Sequence, residues 1–88
     1  MTTPSLDALN AESQARRTTQ GGGLPLRFVQ PAGRLSARAY ETRILHTGEV
    51  PTRADTWHDV LNALVWLRFP RFKSALNMAH GDAIETET

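Results

Sequence analysis

The sequence predicts a mainly α-helical fold, with three to four helices around a buried central helix at about residues 53–69 and one short extended segment. Three observations support this fold class. Apolar residues recur at helical spacing in four segments, bounded by capping residues, glycine or proline. Only one segment, residues 24–30, alternates apolar and polar residues as strands do. The segment 57–69 is apolar around most of a helical wheel, which is typical of a buried helix.

The first predicted helix lies in TTPSLDALNAESQARR, near the N-terminus. Thr3 can cap it and Pro4 suits its first position, while Arg16 and Arg17 lie in the last turn, where the helix dipole favours cations. The segment TTQGGG ends the helix and forms a flexible connector. The extended segment LPLRFVQ follows. Pro25 places it at an edge, because proline has no N–H to donate to a ladder.

A second helix is predicted in LSARAYETRILHTG, with Ser36 as its N-cap and Gly48 as its C-terminal stop. The segment EVPTR then forms a tight connection into the central helix. That helix opens with a capping-box-like spacing, Thr-x-x-Asp, at residue 52 or at residue 56. Pro70 ends or bends it.

The last predicted helix lies in RFKSALNMAH, and Gly81 is expected to stop it. Its apolar residues at i, i+3, i+4 and i+7 spacing are Phe72, Ala75, Leu76 and Ala79. Residues 82–88 form an acidic tail that we expect to fray. The other elements are too few to cover a central helix that is apolar on most sides. We therefore expect self-association, or a protein partner that covers apolar surface.

Four polar residues form a stripe on the central helix, within roughly 100° of arc at about 100° per residue. They are Asp55, His58, Asp59 and Asn62. One interpretation is a site, with His58, Asp59 and Asn62 as candidate catalytic residues, because an imidazole oriented by a carboxylate can act as a base. The candidate ligand-binding residues are Glu41, Arg43, Arg53 and Asp55. We expect the Arg53 guanidinium to pair with an acid of the stripe or with Glu41.

The alternative interpretation is a structural hydrogen-bond network without a function, since buried polar groups must find partners. On that reading Asp55 and Asp59 cap the helix, and Arg53 neutralises them. The aromatic residues around the proline bend, Trp66, Phe69 and Phe72, predict core or an interface.

Composition narrows the classes of function. The 88 residues fit one domain, and the absence of cysteine excludes disulfides and suits a cytoplasmic protein. No apolar run approaches the roughly 18 residues that span a bilayer, so we expect no membrane association. Nine of the ten basic residues are Arg, but they are dispersed, which argues against nucleic-acid binding. The three histidines lack a recognised metal-ligand spacing, so we expect no metal and no cofactor.

Several motifs together resemble an uncharacterised bacterial family, one of the domains of unknown function. They are Tyr-Glu at 40–41, Gly-x-Val-Pro-Thr-Arg at 48–53, His-Asp-x-x-Asn-Ala-Leu-x-Trp at 58–66 and Phe-Pro-Arg at 69–71. PSLDALN and LPLRFV are similar to the opening segments of that family. The resemblance implies that members are considerably longer. We therefore expect residues 1–88 to be a single domain that corresponds to the N-terminal half, as an incomplete or truncated member.

Two functions follow from these observations. The first is an enzyme or ligand-binding half-domain with a polar site on the 53–69 helix. The second is a small helical module for protein–protein interaction, in which the polar stripe is purely structural. Solvent access to the stripe distinguishes the two.

Overall fold

A computed structural model describes the backbone of residues 3–87 and the side chains of residues 3–79. The elements in chain order are α1 (Leu6–Arg16), β1 (Arg27–Val29), α2 (Ala37–Thr47), β2 (Glu49–Pro51), α3 (Trp57–Arg68) and α4 (Pro70–Glu87). The mainly helical fold class is confirmed. No helix in this part of the chain is long and apolar enough to cross a membrane.

Helix α1 begins at a different cap from the predicted one. Ser5 is the N-cap, and its Oγ accepts a hydrogen bond from the Ala8 amide at 3.1 Å. Thr3, the predicted cap, instead donates its hydroxyl to the Ala54 carbonyl, close to the start of α3. Arg17 closes the helix in the left-handed conformation at φ 53°, where its amide bonds back to Gln14. The Ser5 hydroxyl and the Arg17 amide each satisfy a backbone group that a helix end leaves unpaired.

The chain from β1 through α2 to β2 forms a βαβ unit. The two strands are parallel, with Phe28 opposite Val50 at the centre of the register. The predicted caps of α2 are confirmed: Ser36 Oγ accepts from the Ala39 amide, and Gly48 ends the helix at φ 78°. The sequence predicts only a connection where β2 lies, because three residues ending in proline show no alternation. Only the pairing with β1 makes them a strand.

The core lies between α1, the two strands and one face of α2 and α3. Its buried cluster comprises Leu9, Leu26, Phe28, Ile44, Val50, Ala63, Trp66 and Leu67. Helix α3 begins at Trp57 rather than at residue 53, because the preceding residues form a turn in which the Thr56 amide bonds to the Arg53 carbonyl. The burial expected on nearly all its sides is not confirmed, since Leu61 is 55% exposed on the face away from the core.

Helix α4 continues through Gly81 to Glu87, so the predicted stop at Gly81 is not observed. A glycine within a helix lowers its stability by only about 1 kcal/mol relative to alanine, and packing of the helix on its neighbours can offset that loss. The side chains of the predicted acidic tail, residues 82–88, lie outside the described residues.

Candidate functional site

Arg53 and Asp59 form a close ion pair where β2 leads into α3. Asp59 Oδ2 accepts hydrogen bonds from the Arg53 amide and from its Nε, each at 2.9 Å. Asp59 Oδ1 accepts from Arg53 Nη2 at 3.3 Å. Thr56, the N-cap of α3, makes no side-chain capping bond, so Asp59 ties the incoming chain to the first turn in its place. The predicted pairing of Arg53 with an acid of the stripe is confirmed.

This pair is charged on both sides at neutral pH. The side-chain hydrogen bonds from Arg53 are the main reason that the pKa of Asp59 falls to about 2, against the opposing effect of burial. The Arg53 pKa is raised, first by the hydrogen bond to Asp59 and then by its negative charge. The negative charge of the carboxylate and the positive charge of the guanidinium therefore cancel locally. The outer N–H groups of Arg53 remain available to another acceptor.

A second polar contact joins α2 to α3. Asn62 donates from Nδ2 to the Tyr40 hydroxyl oxygen at 2.7 Å. Burial, reinforced by the negative charges of Glu41 and Asp59, raises the pKa of Tyr40 to about 12. The phenol is therefore protonated at neutral pH. Because its oxygen accepts from Asn62, its own proton can be donated to a further group.

A pocket of about 570 Å³ opens beside these two contacts. It lies at the carboxyl ends of the two parallel strands, between the loop that follows β1, the start of α2 and the residues that follow β2. We call it the strand-end pocket, and its lining residues are Gln30, Pro31, Gly33, Arg34, Leu35, Tyr40, Pro51, Arg53 and Asp59. Ligand sites of parallel sheets typically occur in this position.

Arg34 gives the strand-end pocket its charge. Its side chain has no hydrogen-bond or ion-pair partner within the described part of the chain. Asp59 is the one acid among the lining residues, and it is already paired with Arg53. The lining therefore carries one net positive charge, from two guanidinium groups and one carboxylate.

The predicted polar stripe does not act as a unit. Asp59 lines the strand-end pocket, and Asn62 supports Tyr40 from behind. The His58 side chain is 89% exposed and does not line the pocket, although its Nδ1 lies 3.4 Å from Asp59 Oδ1. Asp55 is exposed and accepts only a long hydrogen bond, at 3.4 Å, from the Thr56 hydroxyl among the contacts described.

The other two ligand-binding candidates lie away from the pocket lining. Arg43 donates to Glu49 Oε1 at 2.9 Å, and Arg27 donates to the other carboxylate oxygen at 2.6 Å. These residues are at the amino ends of the strands, opposite the strand-end pocket. Glu41 is close enough to Tyr40 to raise its pKa, but it does not line the pocket.

Tyr40 and Arg34 were not among the predicted site residues. The signal that could have found them is the βαβ unit, since it brings the loops after β1 and β2 to one edge. Recognising residues 49–51 as a strand would have supplied that signal. Within the described residues, no three His, Cys, Asp or Glu side chains are grouped as a metal site requires.

Comparison with known proteins places most of this fold in one family. Residues 26–88 match the family described as Protein of unknown function (DUF3025). The match includes the strand-end pocket but begins at residue 26, so the predicted family segment PSLDALN lies outside it. No curated protein and no solved structure matches the chain.

Proposed function

The chain belongs to the DUF3025 family of proteins of unknown function, and we propose that it binds a small anion in the strand-end pocket. The ligand class is a carboxylate or phosphate group, whose oxygens accept hydrogen bonds from guanidinium and phenol donors. The observation that carries the proposal is the convergence of Arg34, Arg53 and Tyr40 on one pocket.

The donors differ in how firmly they are held. Asp59 fixes one edge of the Arg53 guanidinium, and Asn62 fixes the Tyr40 hydroxyl, so both groups keep their orientation before a ligand arrives. Groups that are already ordered lose less conformational entropy on binding. Arg34 has no such contact within the described residues and supplies the charge that is not neutralised.

Binding is better supported than acid–base catalysis. A carboxylate whose pKa is about 2 is a weak proton acceptor at neutral pH, and Asp59 has that pKa. His58, the other candidate base, points into solvent rather than lining the pocket. In this proposal Asp59 and Asn62 position the donors.

Titration with inorganic phosphate and with acetate, followed by amide chemical shifts, tests the proposal. We expect saturable shifts at residues 30–35 and around Arg53, and Arg34→Gln should weaken binding about tenfold, as loss of one charged hydrogen bond predicts. Tyr40→Phe should weaken it less, because only a neutral donor is lost.

Arg38→Gln is the matched control, because Arg38 is an exposed arginine of α2 that does not line the strand-end pocket. It should bind the anions as the unchanged chain does. Equal losses of anion affinity in Arg34→Gln and Arg38→Gln would mean that the effect comes from the overall charge of the chain, and would reject the site. The absence of saturable shifts at millimolar anion would reject it as well.

A second candidate function is an interaction module, and the exposed apolar residues of α3, of α4 and of the single residue between them favour it. They are Trp57, Leu61, Leu64, Phe69, Phe72, Leu76 and Met78. A set of large apolar side chains left in solvent is typical of a partner surface.

Cytoplasmic location, bacterial origin and correspondence to the N-terminal half of a longer member remain predictions of the sequence.

A further inference from the structure

The strand-end pocket is larger than the anionic group that its donors hold. Its volume of about 570 Å³ lies within the range of about 300–1,000 Å³ that is typical of sites for small organic molecules. A water molecule takes up about 30 Å³ of liquid, and acetate or phosphate is only a few times larger, so a small anion leaves most of the pocket unfilled. The ligand that fits this pocket therefore has a body beyond its anionic group.

Part of the pocket wall is apolar. Pro31 and Leu35, which follow β1, and Pro51, which ends β2, supply this apolar wall. Leu35 directly precedes Ser36, the N-cap of α2, and Tyr40 is the fourth residue after the cap. Apolar side chains at these two positions often pack against each other across the first turn of a helix. The spacing therefore favours one continuous apolar wall from Leu35 to the ring of Tyr40.

Leu35 is left in solvent although it lines a pocket. Its side chain is 38% exposed. A single exposed leucine on a convex surface needs no explanation, but this one lies in a concave site beside two lining prolines. Covering such a wall with hydrocarbon removes apolar surface from water, which is favourable roughly in proportion to the area covered. The wall therefore selects a ligand whose body is apolar.

The charges of the pocket favour a ligand with a single negative charge. The lining carries one net positive charge, from Arg34, Arg53 and Asp59, which one anionic group neutralises. The negative charges of Glu41 and Asp59 also act at the Tyr40 hydroxyl, where they help to raise its pKa. A second negative charge on the ligand would be repelled there. At neutral pH a carboxylate carries one charge and a phosphate monoester nearly two, so the carboxylate fits better.

We propose that the strand-end pocket binds a monocarboxylate that carries an apolar body of several carbon atoms. The carboxylate accepts hydrogen bonds from Arg34, Arg53 and Tyr40, and the hydrocarbon covers the apolar wall. This inference rests on the proposed function, because the carboxylate uses the donors of the proposed anion site.

Titration with acetate, butyrate and hexanoate at neutral pH, followed by the amide shifts of residues 30–35, tests the apolar body. Each CH₂ group that is fully removed from water raises affinity about fourfold. We expect hexanoate to bind at least tenfold more tightly than acetate, since covering about two of its additional CH₂ groups is enough for that gain. Saturable binding of all three with equal affinity would overturn the inference and leave the proposed function standing.

Substitution of Leu35 tests the apolar wall. Leu35→Ser should lower the ratio of hexanoate affinity to acetate affinity at least threefold, and Leu35→Met, which keeps the apolar surface, should retain that ratio. Leu24→Ser is the matched control, because Leu24 is 40% exposed but does not line the pocket. It should bind as the unchanged chain does, and circular dichroism establishes that each variant is folded. An unchanged ratio in Leu35→Ser, or an equal fall in Leu24→Ser, would overturn the inference.

Three further ligands test the single charge. Adipate has the length of hexanoate and a second carboxylate at its far end, so we expect it to bind at least tenfold more weakly. The neutral analogue 1-hexanol should give no saturable shifts at residues 30–35. Adipate or inorganic phosphate that binds as tightly as hexanoate contradicts the preference for one charge, and 1-hexanol that does so shows adsorption without the carboxylate. If none of the anions gives saturable shifts, the proposed function fails together with this inference.

Discussion

The carboxylate of Asp59 holds Arg53 at two places at once, its backbone amide and its guanidinium. It thereby connects the end of the sheet to the first turn of α3 and places one of the three donors of the strand-end pocket. The ion pair therefore contributes both to the stability of the fold and to the proposed binding site.

The first prediction concerns the pH dependence of this pair. The folded pKa of Asp59, about 2, is below the ordinary aspartate value of about 3.9. The ionised form therefore stabilises the fold above about pH 4, and this contribution is lost as the pH falls through about 2. We expect Asp59→Asn to lower the free energy of unfolding by about 1 kcal/mol at pH 7 and by less as the pH falls towards 2.

Denaturant unfolding at several pH values measures this difference. Asp55→Asn is the control, because Asp55 forms no salt bridge among the described residues. A gap between Asp59→Asn and the unchanged chain that stays constant from pH 7 to pH 2 would contradict the assigned pKa.

The second prediction concerns Tyr40, the one tyrosine of the chain. Its pKa is raised to about 12, so the neutral phenol stabilises the fold fully below about pH 10, and the contribution is lost as the pH rises through about 12. Ultraviolet absorbance of the phenolate should therefore show a midpoint well above 10. Asp59→Asn should lower the midpoint because it removes a nearby negative charge. A midpoint near 10 in the folded chain would indicate an exposed phenol.

The third prediction separates two neighbours of the polar stripe. Asn62→Ala should cost about 1 kcal/mol, because the Tyr40 hydroxyl loses a donor. His58→Ala should change stability by less than about 0.5 kcal/mol, since its side chain is almost fully exposed. Denaturant unfolding with a constant slope measures both. Equal and large losses would mean that His58 has a structural role which its exposure does not suggest.

The fourth prediction concerns the turn between α2 and β2. Gly48 has φ 78°, and a Cβ there would collide with the Pro25 carbonyl oxygen. Gly48→Ala should therefore lower the free energy of unfolding by about 1–3 kcal/mol. Gly33→Ala is the matched control, because a Cβ at Gly33 meets nothing within 4 Å. Thermal unfolding compares the two, and a similar melting temperature for both would argue against the close approach of Gly48 to Pro25.

Local sequence signals determined the helices and much of their capping. Ser36 and Gly48 bound α2 as predicted, because a cap depends on a few adjacent residues and their backbone angles. The ion pair of Arg53 was also predictable, since Asp59 is only six positions away. The mainly helical class follows from the same short-range periodicity.

Contacts between distant segments were decided by the tertiary structure alone. Strand β2 exists because Val50 lies beside Phe28, a residue far away in the chain, and its own sequence carries no strand pattern. The strand-end pocket follows from that pairing, which brings Arg34 and Tyr40 to Arg53. Periodicity likewise indicates that a helix has an apolar side, but only packing decides whether that side faces the core. In α4 the packing turns it outward.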